Sequence, residues 1–388
     1  MGGVGADGPA RQVLRVLLDG PALTRPELAE RTGLSKPTIS EAVRRLEDAG
    51  VVGATGVRRG QPGRVPVYYG LAPGAGFVVA VDIGGDNLRV RAADLLGNEL
   101  AARRRATPTD GATSVIRATI AMIGETLADA GTAHGGLRAL VMSAPGVVHV
   151  DGRTVSAAYN LGEDGPFDLV TPIERAVGGP VEVDNNVNMA ALGERWRGHG
   201  VGVPTFAFVA VGAGIGMGLV HRGELVRGAH GAAGEVAYLP LHGRPSAIRR
   251  TGHGRELLSA EAGGYRMLAH AGRLAWDGDT PGSVAEIFAR AESGDRAART
   301  LVRDEGRRIG LTVASACAVF DPELVVLGGG VASNPQLLPL VARSTRSLVP
   351  FPPRIEISRL GDVASLTGAL SVALARAHTR ILNDLTPA

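Results

Sequence analysis

The stretch VEVDNNVNMAALGE, Val181 to Glu194, decides the reading of this chain. An apolar alternation of strand type runs into Asp184, two asparagines follow as Asn185 and Asn186, and Asn188 opens a helix-like run. Polar side chains gathered just past a strand end lie in the crevice outside the strand's carboxyl end, where α/β proteins bind ligands. The question is whether this cluster performs a reaction or only holds something.

Working outward, strands and helices alternate on both sides of it. FVVAVDIGGDNLRVRAADLLGNEL reads as strand, glycine turn, strand, turn, strand, and TSVIRATIAMIGETLADAG as a helix. LRALVMSAPGVV returns as a strand ending at Pro145-Gly146. TFAFVAVGAGIGMGLVHRGELV repeats the strand–glycine–strand opening, and PELVVLGGGVA is a buried strand entering another glycine turn. The same βββαβα-like unit thus occurs twice, which predicts two α/β lobes with a ligand cleft between them. GAGIGMG lacks the helix that a dinucleotide fingerprint requires, because the chain continues as strand. A nicotinamide or flavin site is therefore not expected, and a glycine hairpin facing a phosphate stays open.

The first seventy residues are different in kind. RQVLRVLLDG is a short amphipathic helix with Val13, Leu14, Leu17 and Leu18 inward. Thr24 with Glu27 three residues later forms a capping box, Gly33 stops that helix, and Ser35 caps a third one. In that third helix Ile39, Val43 and Leu46 make the buried stripe. Two short helices with a tight glycine turn, the second opening on small polar and basic residues, form a helix-turn-helix. The hairpin that follows carries RRGQPGR at its tip, with arginines suited to a narrow minor groove or to phosphates. We assign Lys36, Pro37, Thr38, Ser40 and Arg44 to the major groove of a DNA operator, and Arg58, Arg59 and Arg64 to the wing. A three-helix protein-interaction module with a basic face is the alternative.

Charge agrees with an anionic partner at this end. Residues 1–72 hold ten Lys/Arg against seven Asp/Glu, so the entire formal excess of +3 lies there. The chain of 388 residues is too long for one ordinary core. No apolar run approaches the roughly 18–20 residues of a membrane span, and the amino terminus lacks the order of a signal peptide. Cys317 is the sole cysteine, so no intrachain disulfide and no cysteine-rich zinc site can form. A cytoplasmic protein with no membrane partner is expected.

The ordered series VDIGG, SAPGVV, YNL, VDNNVNMAALGE, VGAGIGMG, GAAGEVAYLP and DPELVVLGGGV resembles the ROK family of repressors, open reading frames and sugar kinases, over essentially the whole chain. The amino-terminal part is similar to the winged helix of MarR-like and ROK-type repressors. The resemblance implies an actin-like ATPase/sugar-kinase α/β fold of two lobes behind a winged helix-turn-helix. The expected domains are 1–72 for the winged helix and 73–388 for the kinase-like body, with lobe one at 73–180 plus the helix 365–388 and lobe two at 181–364.

The resemblance also marks where this chain departs from a kinase. Family kinases carry Asp-x-Gly-Gly-Thr at the ATP phosphates; here the Thr position is Asp86, a carboxylate that repels phosphate. Their Asn-Asp-x-Asn supplies a general base; here that position is Asn186, an amide that takes no proton near neutral pH, and losing such a base costs about 10²–10⁴ in rate. Asp184 sits two residues earlier and is displaced along the strand. Gly-Glu-x-Gly-His reads Gly234-Glu235-Val236-Ala237-Tyr238, and the cysteine zinc knuckle is missing. The acid after the knuckle is Glu256 or Glu261. The resemblance then implies no catalytic residue, no metal and no cofactor. It implies instead a sugar effector held by Gly146, Asn160, Asn185, Asn186, Glu235 and Tyr238, on a homodimer or dimer of dimers. Its alternatives are a DNA-binding sugar kinase and a ligand-independent regulator.

Overall fold

The computed structural model describes residues 8–57, 66–156, 158, 161, 165–239 and 263–385. The amino-terminal domain contains α1 (Pro9–Leu18), β1 (Leu23–Thr24), α2 (Arg25–Thr32), α3 (Lys36–Asp48), β2 (Val52–Val57) and β3 (Val67–Leu71). The expected stripes are the buried ones: Val13, Leu14, Leu17 and Leu18 on α1, and Ile39, Val43 and Leu46 on α3. The capping box forms, with the Thr24 amide donating to Glu27 Oε2 at 2.7 Å and the Glu27 amide to Thr24 Oγ1 at 3.4 Å. Gly33 adopts φ 71° and ends α2, and Ser35 Oγ accepts the Thr38 amide at 3.3 Å to start α3. The three strands pair antiparallel in the order β1-β3-β2, which fixes the base of the hairpin.

The body contains two sheets of identical plan. The first uses β4 (Phe77–Ile83), β5 (Asn87–Asp94), β6 (Glu99–Ala106), then α4 (Ala112–Ala130) and β7 (Leu137–Ala144). A small antiparallel excursion, β8 (Val147–Val148), β9 (Thr154–Ser156) and β10 (Phe167–Asp168), precedes α5 (Val170–Val177), β11 (Val181–Asn185) and α6 (Asn186–Arg197). The second sheet uses β12 (Phe206–Val211), β13 (Ile215–His221) and β14 (Glu224–Val226). Next come α7 (Gly264–Ala271), α8 (Val284–Ser293), α9 (Arg296–Phe320) and β15 (Leu324–Gly328). Helices α10 (Gly329–Ala332) and α11 (Leu337–Arg346), strand β16 (Arg354–Ile357) and helix α12 (Ala364–Asp384) complete the chain. The strand orders are β11-β7-β4-β5-β6 and β14-β13-β12-β15-β16, which are the same connectivity read from opposite edges. The duplication seen in the sequence is therefore a duplication of sheets. Strands β4 and β15 are wholly buried, as central strands covered on both faces must be.

The lobe boundary expected at 181 is displaced. β11 pairs in parallel with β7 over its full length, so the first sheet extends to Asn185. The helices that follow the two sheets then change sides. α6 leaves the first sheet and lies on β12 and β13 of the second; α12 leaves the second and lies on β4 and β7 of the first. They cross where neither has a side chain. A methyl on Gly193 would sit 2.2 Å from the Ala364 carbonyl, and one on Gly368 would sit 1.7 Å from the Met189 carbonyl.

At its far end α12 meets the winged helix. Leu14, Leu17, Ile39, Ile381, Leu382 and Leu385 belong to one apolar cluster that continues into β4. The Arg45 guanidinium donates to the Leu385 carbonyl at 3.1 Å, and Arg380 donates to the Arg138 carbonyl at 2.6 Å. Arg138 in turn donates to the Ala75 carbonyl at 2.8 Å and so pins the linker between domains.

Gly368→Ala is expected to lower stability by about 1–3 kcal/mol or more through overpacking. Gly124→Ala, on α4 where a methyl meets nothing within 4 Å, is expected to be neutral or stabilising by about 0.5–1 kcal/mol. Thermal unfolding of the two variants checks this, and equal melting temperatures would remove the helix crossing from the account.

Candidate functional site

Two surfaces carry the polar groups that the sequence marks as candidates. On the winged helix, Lys36 and Pro37 are exposed at the start of α3 and Thr38 and Ser40 are half-buried. The hydroxyls are partly used within the helix: Ser35 Oγ and Thr38 Oγ1 share a 2.8 Å bond, and Ser40 Oγ donates to the Lys36 carbonyl at 3.0 Å. Each hydroxyl oxygen keeps a lone pair. Arg44 is exposed and held by Glu41, with contacts of 2.7–3.2 Å. An ion pair this exposed is worth little, so Arg44 is free to leave Glu41 for a stronger anion. Arg58, Arg59 and Arg64 lie outside the described residues.

The second surface is the mouth between the lobes, where the carboxyl end of β11 becomes the first turn of α6. Asn185 is the N-cap: its Oδ1 accepts the Val187 amide at 2.7 Å and the Asn188 amide at 3.4 Å. Its Nδ2 donates to the Gly146 carbonyl at 2.6 Å, tying the β7–β8 turn to the helix start. Asn185 and Gly146, both expected to contact ligand, are thus bonded to each other, and Asn185 is largely committed to the fold. Asp184 is buried and fully engaged. Its Oδ1 accepts the Asn185 amide at 2.7 Å and Asn188 Nδ2 at 2.9 Å, and its Oδ2 accepts Arg227 Nε at 2.8 Å. Arg227 follows β14 in the second lobe, so this ion pair spans the mouth.

Asn186 differs from its neighbours. It is half-buried at the first position of α6 and makes no side-chain hydrogen bond among the described residues. Glu235 is half-buried and Tyr238 is 40% exposed, both just past the loop that carries Arg227. That loop touches the first lobe at Gly231 (φ 76°), where a methyl would lie 2.3 Å from the Val148 carbonyl. The structure therefore brings Asn185, Asn186 and Gly146 together. Asn160 lies outside the described residues, as do Glu256 and Glu261.

The glycine turns have their own occupants. In the first hairpin Asp82 is buried beside Ser143 Oγ at 3.1 Å and Arg89 Nη1 at 3.2 Å. Burial pushes its carboxyl up to about 6 against the lowering effect of those partners. Arg89 Nη2 donates to Asp362 Oδ2 at 2.6 Å, so the internal arginine joins this hairpin to the segment leading into α12. Asp86 is exposed at the tip. In the second hairpin the run continues as β13, and two of its glycines admit α6: a methyl on Gly218 would lie 2.7 Å from the Val187 carbonyl, and one on Gly216 3.0 Å from a Val187 methyl. The Gly212 carbonyl accepts the Gly264 amide at 2.8 Å, and Glu305 accepts the Gly263 amide at 2.7 Å. Burial raises the Glu305 carboxyl to about 7. Among the described residues no cluster of His, Cys, Asp or Glu is placed to hold a metal ion. Nor is any described helix long and apolar enough to cross a membrane.

Sequence reasoning missed Arg89, Arg227 and Glu194. Arg89 had a signal, because a tight glycine turn after Ile83 sets Asp82 opposite Arg89 in the hairpin. Arg227 had none, since its partner is 43 residues away. Glu194 is wholly buried in α6 and accepts from Ser358 Oγ at 2.6 Å and the His199 amide at 2.8 Å.

Comparison with known proteins fits this architecture. Residues 78–376 match the ROK family, and residues 9–52 match a winged helix-turn-helix DNA-binding family. A xylose repressor of Caldicellulosiruptor bescii is 25% identical over 377 residues, covering 93% of this chain and 94% of its own. The solved structure of a ROK family transcriptional regulator, a homolog of the E. coli MLC protein, superposes with a TM-score of 0.75 at 22% identity, over 97% of this chain and 98% of its own. A ROK family glucokinase from Streptomyces griseus, solved with glucose and AMPPNP, has a TM-score of 0.65 at 28% identity and covers 77% of this chain and 99% of its own. Two sheets of one plan, two exchanged helices and a winged helix ahead of them are what the comparison recovers along the whole chain: it belongs to the ROK family, with an amino-terminal winged helix-turn-helix domain.

Proposed function

We propose that this chain is a DNA-binding repressor whose inter-lobe cleft senses a sugar or sugar derivative without phosphorylating it. One observation carries the reading. Among the described residues Asn186, an amide at the start of α6, makes no side-chain hydrogen bond, and the neighbouring acid, Asp184, already accepts from three donors. An amide donates and accepts toward a polyol but does not take a hydroxyl proton. Glu235 and Tyr238 would complete the polar wall, with the Gly146 turn shaping it.

Helix packing supplies a route from the cleft to DNA. A ligand engaging the first turn of α6 bears on a helix locked to α12 at Gly193 and Gly368, and α12 ends against the winged helix. α12 has 21 residues and so spans about 31 Å. A preference of about 1–3 kcal/mol for one lobe geometry changes operator occupancy about 5–150-fold. Lys36, Pro37, Thr38, Ser40 and Arg44 would meet the major groove, with the wing beside them.

A second reading, a DNA-binding sugar kinase, is favoured by the likeness to the Streptomyces griseus glucokinase. Against it stand Asn186 at the position of the base and Asp82 held by Arg89.

Three outcomes are expected. On a duplex selected from random sequence by the protein, Arg44→Ala and Lys36→Ala should each cost about 1–3 kcal/mol and relax specificity at the bases they meet; fluorescence anisotropy with base-substituted duplexes decides this, and an equal loss on every sequence would move the residue concerned from the major groove to the phosphates. A melting-shift screen over pentoses and hexoses should find a sugar that stabilises the protein and releases that duplex, and Asn186→Ala should abolish the shift; no shift with any sugar leaves a ligand-independent regulator. Purified protein with ATP and the same panel should release no ADP above background, and Asn186→Asp is the variant to run beside it; turnover by the unmodified chain would establish the kinase reading.

A further inference from the structure

One loop of the second lobe reaches across the mouth to the first. Residues 227–234 leave β14 and close on themselves, with the Ala233 amide donating to the Arg227 carbonyl at 3.0 Å. The base of the loop is fixed to β13: the Met217 amide donates to the Gly234 carbonyl at 3.1 Å, and a methyl on Gly234 would lie 2.0 Å from the Met217 carbonyl. Its ties to the first lobe are of another kind. Among the described residues no backbone hydrogen bond joins 227–234 to that lobe. Two contacts reach it instead: Arg227 Nε on Asp184 Oδ2 at 2.8 Å, and the close approach of Gly231 to the Val148 carbonyl.

The ion pair is unequal at its two ends. The Asp184 side chain is 10% exposed and that of Arg227 54%, so the acid is anchored inside the first lobe while water competes for the arginine. Parting the pair does not orphan the acid, because Asp184 keeps the Asn185 amide at 2.7 Å and Asn188 Nδ2 at 2.9 Å. The crossing of α6 and α12 is backbone against backbone and has no such give. A rotation about that crossing therefore opens the mouth at Arg227 first. Asp184 also orders the first turn of α6, where Asn186 lies, and Glu235 follows the loop directly. We propose that Arg227 is the latch of the cleft, a positioning residue that holds Asp184 and so keeps the wall of Glu235 and Tyr238 against the first turn of α6 while a sugar is bound. This rests on the sugar-sensing reading given above. Arg227 acts through Asp184 and touches no sugar. Latch and sugar favour the same closed geometry, so each strengthens the other by the same factor.

Two measurements on the full chain test the latch. Without any sugar, amide hydrogen exchange of Arg227→Gln is compared with that of the unmodified protein. Exchange should quicken at residues 227–235 and 184–188 and stay unchanged along α9, which also shows that the variant is folded. With the pentose or hexose that raises the melting temperature most, Arg227→Gln should weaken affinity about tenfold in the unmodified chain and little in an Asp184→Asn background, where the pair is already gone. Arg227→Lys keeps the charge and should recover most of the affinity. Unchanged exchange at 227–235, equal losses of affinity in the two backgrounds, or an Arg227→Lys variant as weak as Arg227→Gln would each overturn the latch. A panel in which no sugar binds would overturn the sugar-sensing reading, and the exchange measurement would still decide whether Arg227 holds the lobes together.

Discussion

The crossing of α6 over α12 is the constraint on which the rest of the molecule depends. Each helix follows one sheet and covers the other, so the lobes are joined by an exchange of helices. The axes come close enough for backbone to meet backbone only because Gly193 and Gly368 carry no side chain. Such a contact does not deform gradually: interiors are close-packed, and a shift of one helix is transmitted to the other. Polar ties surround it. Glu194 fastens α6 to Ser358 and the Leu360 amide, and Asp362 fastens the same short segment to Arg89 and Asp82 of the first sheet. The joint between the lobes is thus built from groups that leave little slack.

That joint places the cleft floor and the DNA-binding head on one mechanical line. Asn185 fixes the start of α6 and the Gly146 turn together, and the Asp184–Arg227 pair reaches across to the second lobe. In the function proposed above, the chemistry at the mouth serves recognition. Asp184 accepts from the Asn185 amide, Asn188 and Arg227. Beside it Asn186 makes no side-chain hydrogen bond among the described residues.

Much of this was readable in the sequence because it rests on local rules. The capping box of Thr24 and Glu27, the stop at Gly33, the stripes of α1 and α3 and the repeated strand–glycine–strand opening follow from spacing a few residues long. The lobe boundary was not readable, because β11 looks the same whether it opens a second sheet or closes the first; only its pairing with β7 decides. The packing role of the glycines of GAGIGMG was not readable for a similar reason. In sequence they read as a tight hairpin with a phosphate-facing turn left open, and nothing there shows that Gly216 and Gly218 let α6 approach. Asn185 looked like a ligand contact and is a helix cap. The Arg227–Asp184 and Ser358–Glu194 contacts join residues 43 and 164 positions apart, which no local pattern records.

The central claim is that sugar binding at the first turn of α6 is felt at the winged helix through α12. Hydrogen exchange measured with and without the sugar identified by melting tests it most directly. The account predicts altered protection at residues 186–197, along 364–385 and in α3, in one concerted change. Protection confined to the cleft, with α12 and α3 exchanging as in the free protein, would contradict it.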